Sequence, residues 1–161
     1  MRTTAGVPAL LAAGALVLAG CGGGEPSAGT TTAADETLRT ADSDLGEIVV
    51  DADGRTVYVF DEDEPGSGKS ACSGECLEQW PPVVADDEQP TADGVDGDLG
   101  TIERDDGTRQ VTLDGAPLYL FAGDAGPGDV TGQAVGDVWW AVGPDGKKIS
   151  EAPDTGSDFS Y

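Results

Sequence analysis

The chain has 161 residues, 31 acidic and 8 basic, for a net charge of −23. That balance excludes nucleic-acid binding through a basic patch, because phosphate contacts need the opposite sign. It contains no histidine, which removes Ser-His-Asp and Cys-His catalysis, imidazole-held zinc or copper, and c-type haem attachment.

In chain order, residues 1–20 read as a lipoprotein signal peptide. Arg2 supplies the positive start, and Val7 to Ala19 is an apolar run too short for a membrane span. It ends in Leu18-Ala19-Gly20-Cys21. Small residues before a cysteine are what the lipoprotein signal peptidase reads, so Cys21 is the expected lipidation site. Two or three acyl chains anchor stably, since each buried CH₂ adds about 0.8 kcal/mol. Processing would remove Arg2 and the single methionine, leaving a net charge of −24 and no axial ligand for a blue-copper site. The expected location is therefore extracytoplasmic, anchored to the cell membrane by lipid. Residues 21–44 lack apolar periodicity and are expected to be a flexible linker. Residues 45–150 suffice for one small domain, and 151–161 read as a C-terminal tail.

Within the domain the signals are those of strands. Ile48 to Val50, Thr56 to Phe60, Arg109 to Leu113, Ala116 to Phe121 and Val138 to Val142 are short and rich in β-branched or aromatic residues, and Thr101 to Glu103 is a weaker candidate. Asp53-Gly54, Asp106-Gly107 and Asp114-Gly115 each separate two of them, and Asp145-Gly146 starts one more turn. No part of the mature chain offers eleven residues of helical periodicity. The predicted fold is all-β, a small sandwich- or barrel-like domain of two pseudo-repeated hairpin units, about 45–90 and 100–143.

The repeat is visible in "YVFDEDEPG" (58–66) and "YLFAGDAGPG" (119–128). Tyr58 and Phe60 share one strand face, Val57 and Val59 the other, so both faces are apolar and the strand is predicted to be covered on both sides. Tyr119 and Phe121 repeat the pattern. Asp63 and Asp124 follow each strand, where an Asx turn can hold the chain's exit. Trp80 closes the first unit and Trp139 or Trp140 the second. These residues are read as structural, an aromatic core.

On "VYVFDEDEPGSGKSACSGECLEQWPPVVA" and "DGAPLYLFAGDAGPGDVTGQAVGDVWWAV" the chain resembles the secreted-repeat lipoproteins. These bacterial envelope proteins are named for a Tyr-x-(Phe/Trp/Tyr)-x-x-Asp motif and are common in actinobacteria. The resemblance covers about residues 45–143. It implies a lipidated or secreted protein of paired β repeats, and implies no reaction.

Cys72 and Cys76 are the only thiols besides Cys21. Outside the membrane a pair four residues apart on a turn is expected to be oxidised, as a structural disulfide. The spacing is not C-x-x-C and no βαβ context surrounds it, which argues against a redox pair. "DEDEPG" (61–66) starts like a calcium loop but places Pro65 at its fifth position and Cys72 at its twelfth. Asp61, Asp63, Asp124 and Asp129 remain weak metal candidates, with Glu62 and Glu64 beside them. No cofactor and no catalytic residue is expected. The leading reading is a non-enzymatic envelope module that binds an envelope protein or ligand, or is structural. Its alternatives are a thiol or electron-transfer component using Cys72 and Cys76, and a cation-binding surface protein.

Overall fold

The computed structural model describes residues 36–86 and 88–150. The expected signal peptide, the Cys21 lipidation site, most of the linker and the 151–161 tail lie outside them.

The described residues are nearly all strand and turn. A hairpin of β1 (Leu38–Ser43) and β2 (Gly46–Asp51) has β4 (Ala92–Asp93) parallel to β1 at its edge. β3 (Tyr58–Phe60) pairs antiparallel with β8 (Trp139–Ala141). β5 (Leu99–Glu103), β6 (Arg109–Leu113) and β7 (Ala116–Pro117) form a third sheet. One helical turn, α1 (Cys76–Gln79), and a 3₁₀ turn over Val135–Asp137 complete it. The predicted all-β class is correct. Among the described residues the strands form three small sheets and no closed barrel.

The linker boundary moves. The segment expected to be tether up to residue 44 contains β1, and Leu38 is fully buried. "LRTADS" carries no hydrophobic alternation of its own. Its strand form comes from main-chain pairing with the Ile48-Val49-Val50 strand, from Leu38 opposite Asp51 to Ser43 opposite Gly46. The expected strand Ala116 to Phe121 is formally strand only at 116–117, and Tyr119 continues it through bridges to both Tyr58 and Pro82. The turns fall where expected. At Asp114-Gly115 both residues have positive φ, 51° and 81°, the left-handed pair that a tight hairpin needs.

The repeats are joined by exchange. Tyr58 N–H donates to Tyr119 C=O (2.8 Å) and Tyr119 N–H to Tyr58 C=O (2.9 Å), which marks a pseudo-twofold axis. On one side Val57 N–H donates to Val49, Val49 to Val142 and Val142 back to Val57, at 3.0, 2.8 and 3.1 Å. On the other, Leu118 donates to Val111, Val111 to Val83 and Val83 back to Leu118, at 3.0, 2.8 and 2.9 Å. Each closed ring takes two residues from one repeat and the terminal strand of the other. Part of each repeat's backbone hydrogen bonding is therefore supplied by its mate.

Alternation along the two motif strands sorts the core. Val57, Leu118 and Leu120 enter an aliphatic cluster with Leu38, Val49, Val83, Val111, Leu113 and Val142, and Val59 packs against it. Tyr58 and Tyr119 enter an aromatic cluster with Trp80, Trp139 and Cys72, with Phe60 and Phe121 against it. The two-sided burial expected of these strands is what the fold has.

Leu38→Ala should destabilise the domain by about 2–5 kcal/mol, as for other large-to-small core changes. If residues 22–35 are linker, as the sequence leads one to expect, removing them should change stability by less than about 0.5 kcal/mol. Urea unfolding of the two variants checks both figures.

Candidate functional site

The motif residues meet at the pseudo-twofold axis, and each hydroxyl crosses it. Tyr58 of the first repeat donates to Asp124 Oδ2 of the second (2.8 Å), and Tyr119 of the second donates to Asp63 Oδ2 of the first (2.6 Å). The other oxygen of each carboxylate holds its own loop. Asp63 Oδ1 accepts from Ala71 N–H (2.6 Å), and Asp124 Oδ1 accepts from the Thr131 N–H (2.9 Å) and hydroxyl (2.6 Å). The chain exits were expected to be held by these aspartates, and the phenols of the opposite repeat were not foreseen. The equal Tyr-to-Asp spacing in the two copies was the signal of equal roles. Nothing in one strand's sequence says that its partner lies in the other repeat.

The rings stack in the same symmetry. Trp80 and Trp139 lie face to face across the axis, centroids 3.8 Å apart and 2° from parallel. Phe60 stacks on Trp139 at 4.1 Å, and Phe121 lies against Trp80 at 4.4 Å. Tyr58 meets Trp80 edge-on, and Tyr119 meets Trp139 likewise, at 5.4 and 5.1 Å. Such contacts add about 0.5–1.5 kcal/mol per pair beyond area burial. Trp139 is thus the mate of Trp80. Trp140 points the other way, as the strand period requires. Its Nε1 donates to Asp61 (2.8 Å), and Lys148 Nζ lies 5.4 Å from its ring centroid while bonding Asp61 at 2.6 Å.

The loops behind the two carboxylates differ. Gly132 brings its N–H within 3.2 Å of the Tyr58 hydroxyl, and a Cβ there would fall 2.8 Å from that ring. Cys72 occupies the matching place in the first repeat. It is bonded to Cys76 with Cα atoms 5.4 Å apart, and it is almost fully buried in the aromatic cluster. Arg104 donates to the Cys72 carbonyl (2.7 Å) and to buried Gln110, whose amide in turn donates to Leu118 C=O (2.8 Å). Ser70 Oγ lies 2.5 Å from the Tyr119 hydroxyl and 3.1 Å from the Cys72 carbonyl.

The four weak metal candidates do not converge. Asp61 holds Lys148 and Trp140, Asp63 and Asp124 hold the phenols, and Asp129 accepts from Ala125 and Gly126 N–H at 2.8 and 3.0 Å. Among the described residues no three His, Cys, Asp or Glu side chains are grouped for a metal. Glu62 and Glu64 are exposed.

A family model described as a secreted repeat of unknown function matches residues 39–84 and 100–143. The two matches cover more than half of the chain and coincide with the two exchanged units. The chain belongs to that family. No curated protein and no solved structure matches it. Both secreted repeats begin inside β1 or β5 and end on the strand each gives to the other, and the family's description makes the protein extracytoplasmic.

Burial sets the electrostatics of the secreted-repeat pair. Desolvation holds both Tyr58 and Tyr119 above the ordinary phenol range, reinforced by the carboxylate each faces. Burial also raises Asp63, against the lowering effect of its bonds from Tyr119 and Ala71 and of Arg104's charge. A phenol whose folded pKa is raised stabilises the fold fully below its unfolded value, about 10, and that contribution is lost as pH rises beyond it. The protein should therefore unfold in alkali, with two of its three tyrosines ionising only in the unfolding transition. Phenolate absorbance followed beside the far-ultraviolet signal checks this, and smooth titration of all three in the folded state would refute it. Asp63 acts in the same sense at lower pH. Its raised value means that ionisation disfavours the fold at neutral pH and that mild acid relieves this. The thermal midpoint should rise on acidification below neutral, and less so in Asp63→Asn.

The disulfide closes a short loop, so replacing Cys72 and Cys76 by Ser should lower stability by about 2 kcal/mol. The Trp80–Trp139 stack should survive, as near-ultraviolet dichroism would report. Collapse of the β signal in the double variant would assign the bond a larger role.

Proposed function

We propose that the protein is a non-enzymatic module anchored by lipid at Cys21 to the outer face of the cell membrane, where its double-repeat domain serves as a binding unit. One observation carries this reading. The family's motif residues are consumed internally, Tyr58 by Asp124, Tyr119 by Asp63, and Trp80 by Trp139. The Tyr58 and Tyr119 hydroxyls and both oxygens of Asp63 and Asp124 already have structural partners, so the repeat builds a scaffold and leaves the surface to recognise ligands. Cys72 supports the same reading, because a redox pair needs an accessible thiolate and this sulfur lies in the core. The cation-binding alternative has little support, since its four aspartates hold internal donors.

Cys21→Ser tests the anchor. The variant should stay unprocessed or be shed, where the wild type partitions with membranes, and unchanged processing with firm membrane attachment would refute it. Mild cross-linking of the lipidated protein in its native envelope should capture a partner through the domain surface and leave no trapped covalent turnover product.

A further inference from the structure

The two repeats end on equivalent strands whose outer edges are treated differently. In the second repeat, β8 and its continuation lie opposite Tyr58 with Ala141, and their outer edge is covered by the chain itself. Ile149 N–H donates to Ala141 C=O (2.8 Å), Gly143 N–H donates to Lys147 C=O (2.8 Å), and Val142 bridges Lys148. In the first repeat the equivalent strand lies opposite Tyr119 with Pro82. All of its main-chain bonds run inward, from Leu120 to Pro81, Val83 to Leu118, Val111 to Val83 and Ala85 to Arg109, at 2.8 to 3.0 Å. Pro82 C=O and Val84 N–H take the places of Ala141 C=O and Gly143 N–H. Among the described residues neither has a partner.

This open edge borders a cleft of about 420 Å³. Val84, in its wall, is 50% exposed and is the large apolar side chain most open to solvent among the described residues. Four carboxylates also line the cleft, Glu36, Asp51, Asp53 and Asp86. Its one cation, Arg55, is already bonded to Asp51 at 2.8 Å and lies 3.7 Å from Asp53. An unpaired strand edge is a template for another strand, and natural edges are normally blunted or covered. Proline at 82 fits an edge position, since its missing N–H faces no partner.

We propose that the Pro82–Val84 edge is a docking site for an extended basic peptide segment of an envelope partner, which adds a strand there as Lys147–Ile149 does in the second repeat. The incoming chain donates an N–H to Pro82 C=O and accepts from Val84 N–H, packs an apolar side chain on Val84, and sets lysine or arginine against the acidic rim. Main-chain bonds give such a complex its affinity and the flanking side chains its selectivity. A second copy of this chain would bring the same acidic rim to the edge and be repelled. The tail "EAPDTGSDFSY" is acidic as well. The proposal rests on the reading of the domain as a binding module and is separable from it. A partner cross-linked elsewhere on the surface would refute this site and leave that reading standing.

The test uses the full mature chain and a peptide copying residues 146–150, "GKKIS". Titration followed by amide resonances should shift Val84 saturably. N-methylation of the peptide's isoleucine amide removes one bond and should weaken binding about tenfold. Asp53→Lys with Asp86→Lys should weaken it at least as much, and the peptide "GEEIS" should fail to bind. The N-methylated peptide leaves the protein untouched, so misfolding of a variant cannot mask the result. Three outcomes would overturn the proposal: no shift at Val84, equal binding of the N-methylated peptide, or binding only after residues 22–35 or 151–161 are removed. The last would mean that the chain's own segment occupies the edge.

Discussion

A buried carboxylate must be given donors, and in this protein the donor comes from the other repeat. Asp63 is almost fully buried, and an unpaired charge there would cost several kcal/mol. The Tyr119 hydroxyl and the Ala71 amide meet that need, and Asp124 with Tyr58 and Thr131 repeats the arrangement. A slip of one residue between the two motif strands would turn every ring outward and strand both carboxylates. The polar pairs therefore set the register, and the hydrophobic clusters on either side supply most of the driving force. Exchange of the terminal strands follows from that register, because Val83 and Val142 can complete their three-way rings only when the axis is in place.

Much of this was legible in the residues, for reasons that can be named. Val-Tyr-Val-Phe has two apolar faces, which is a direct statement about burial on both sides, and the fold separates those faces into an aliphatic and an aromatic cluster. Asp-Gly between strand-like runs located the hairpins because few other pairs accept left-handed dihedrals. Leu38 to Ser43 was illegible for the opposite reason. Its strand depends on its neighbours' main chains, and its mostly polar side chains carry no period. The crossing of Tyr58 to Asp124 was hidden as well, since a motif within one copy looks self-sufficient until the copies are seen to be intertwined. The carboxylates that suggested cations were a matter of abundance. In a chain with 31 acids some must fall near one another, and these have internal donors.

Shared architecture also makes the differences between the copies informative. Behind one phenol stands Gly132, where a side chain would collide with the ring. Behind the other stands Cys72, whose disulfide stiffens a longer loop and whose carbonyl is clamped by Arg104. One terminal strand is covered by the hairpin around Asp145-Gly146, and the other ends in the open at Val84. A frame duplicated in this way can hold its core constant while each half presents a different edge to the outside.

The strand exchange has a mechanical meaning for a protein outside the cell, where proteases are abundant. The connection between the repeats runs from Asp86 to Asp98, and most of its described residues are exposed. A cut there would sever the chain without separating its parts, because each piece would still hold the other's terminal strand, phenol and tryptophan. The two fragments would have to unfold together in order to part. The core and its backbone rings, rather than the covalent link, thus determine whether a nicked molecule remains a working one.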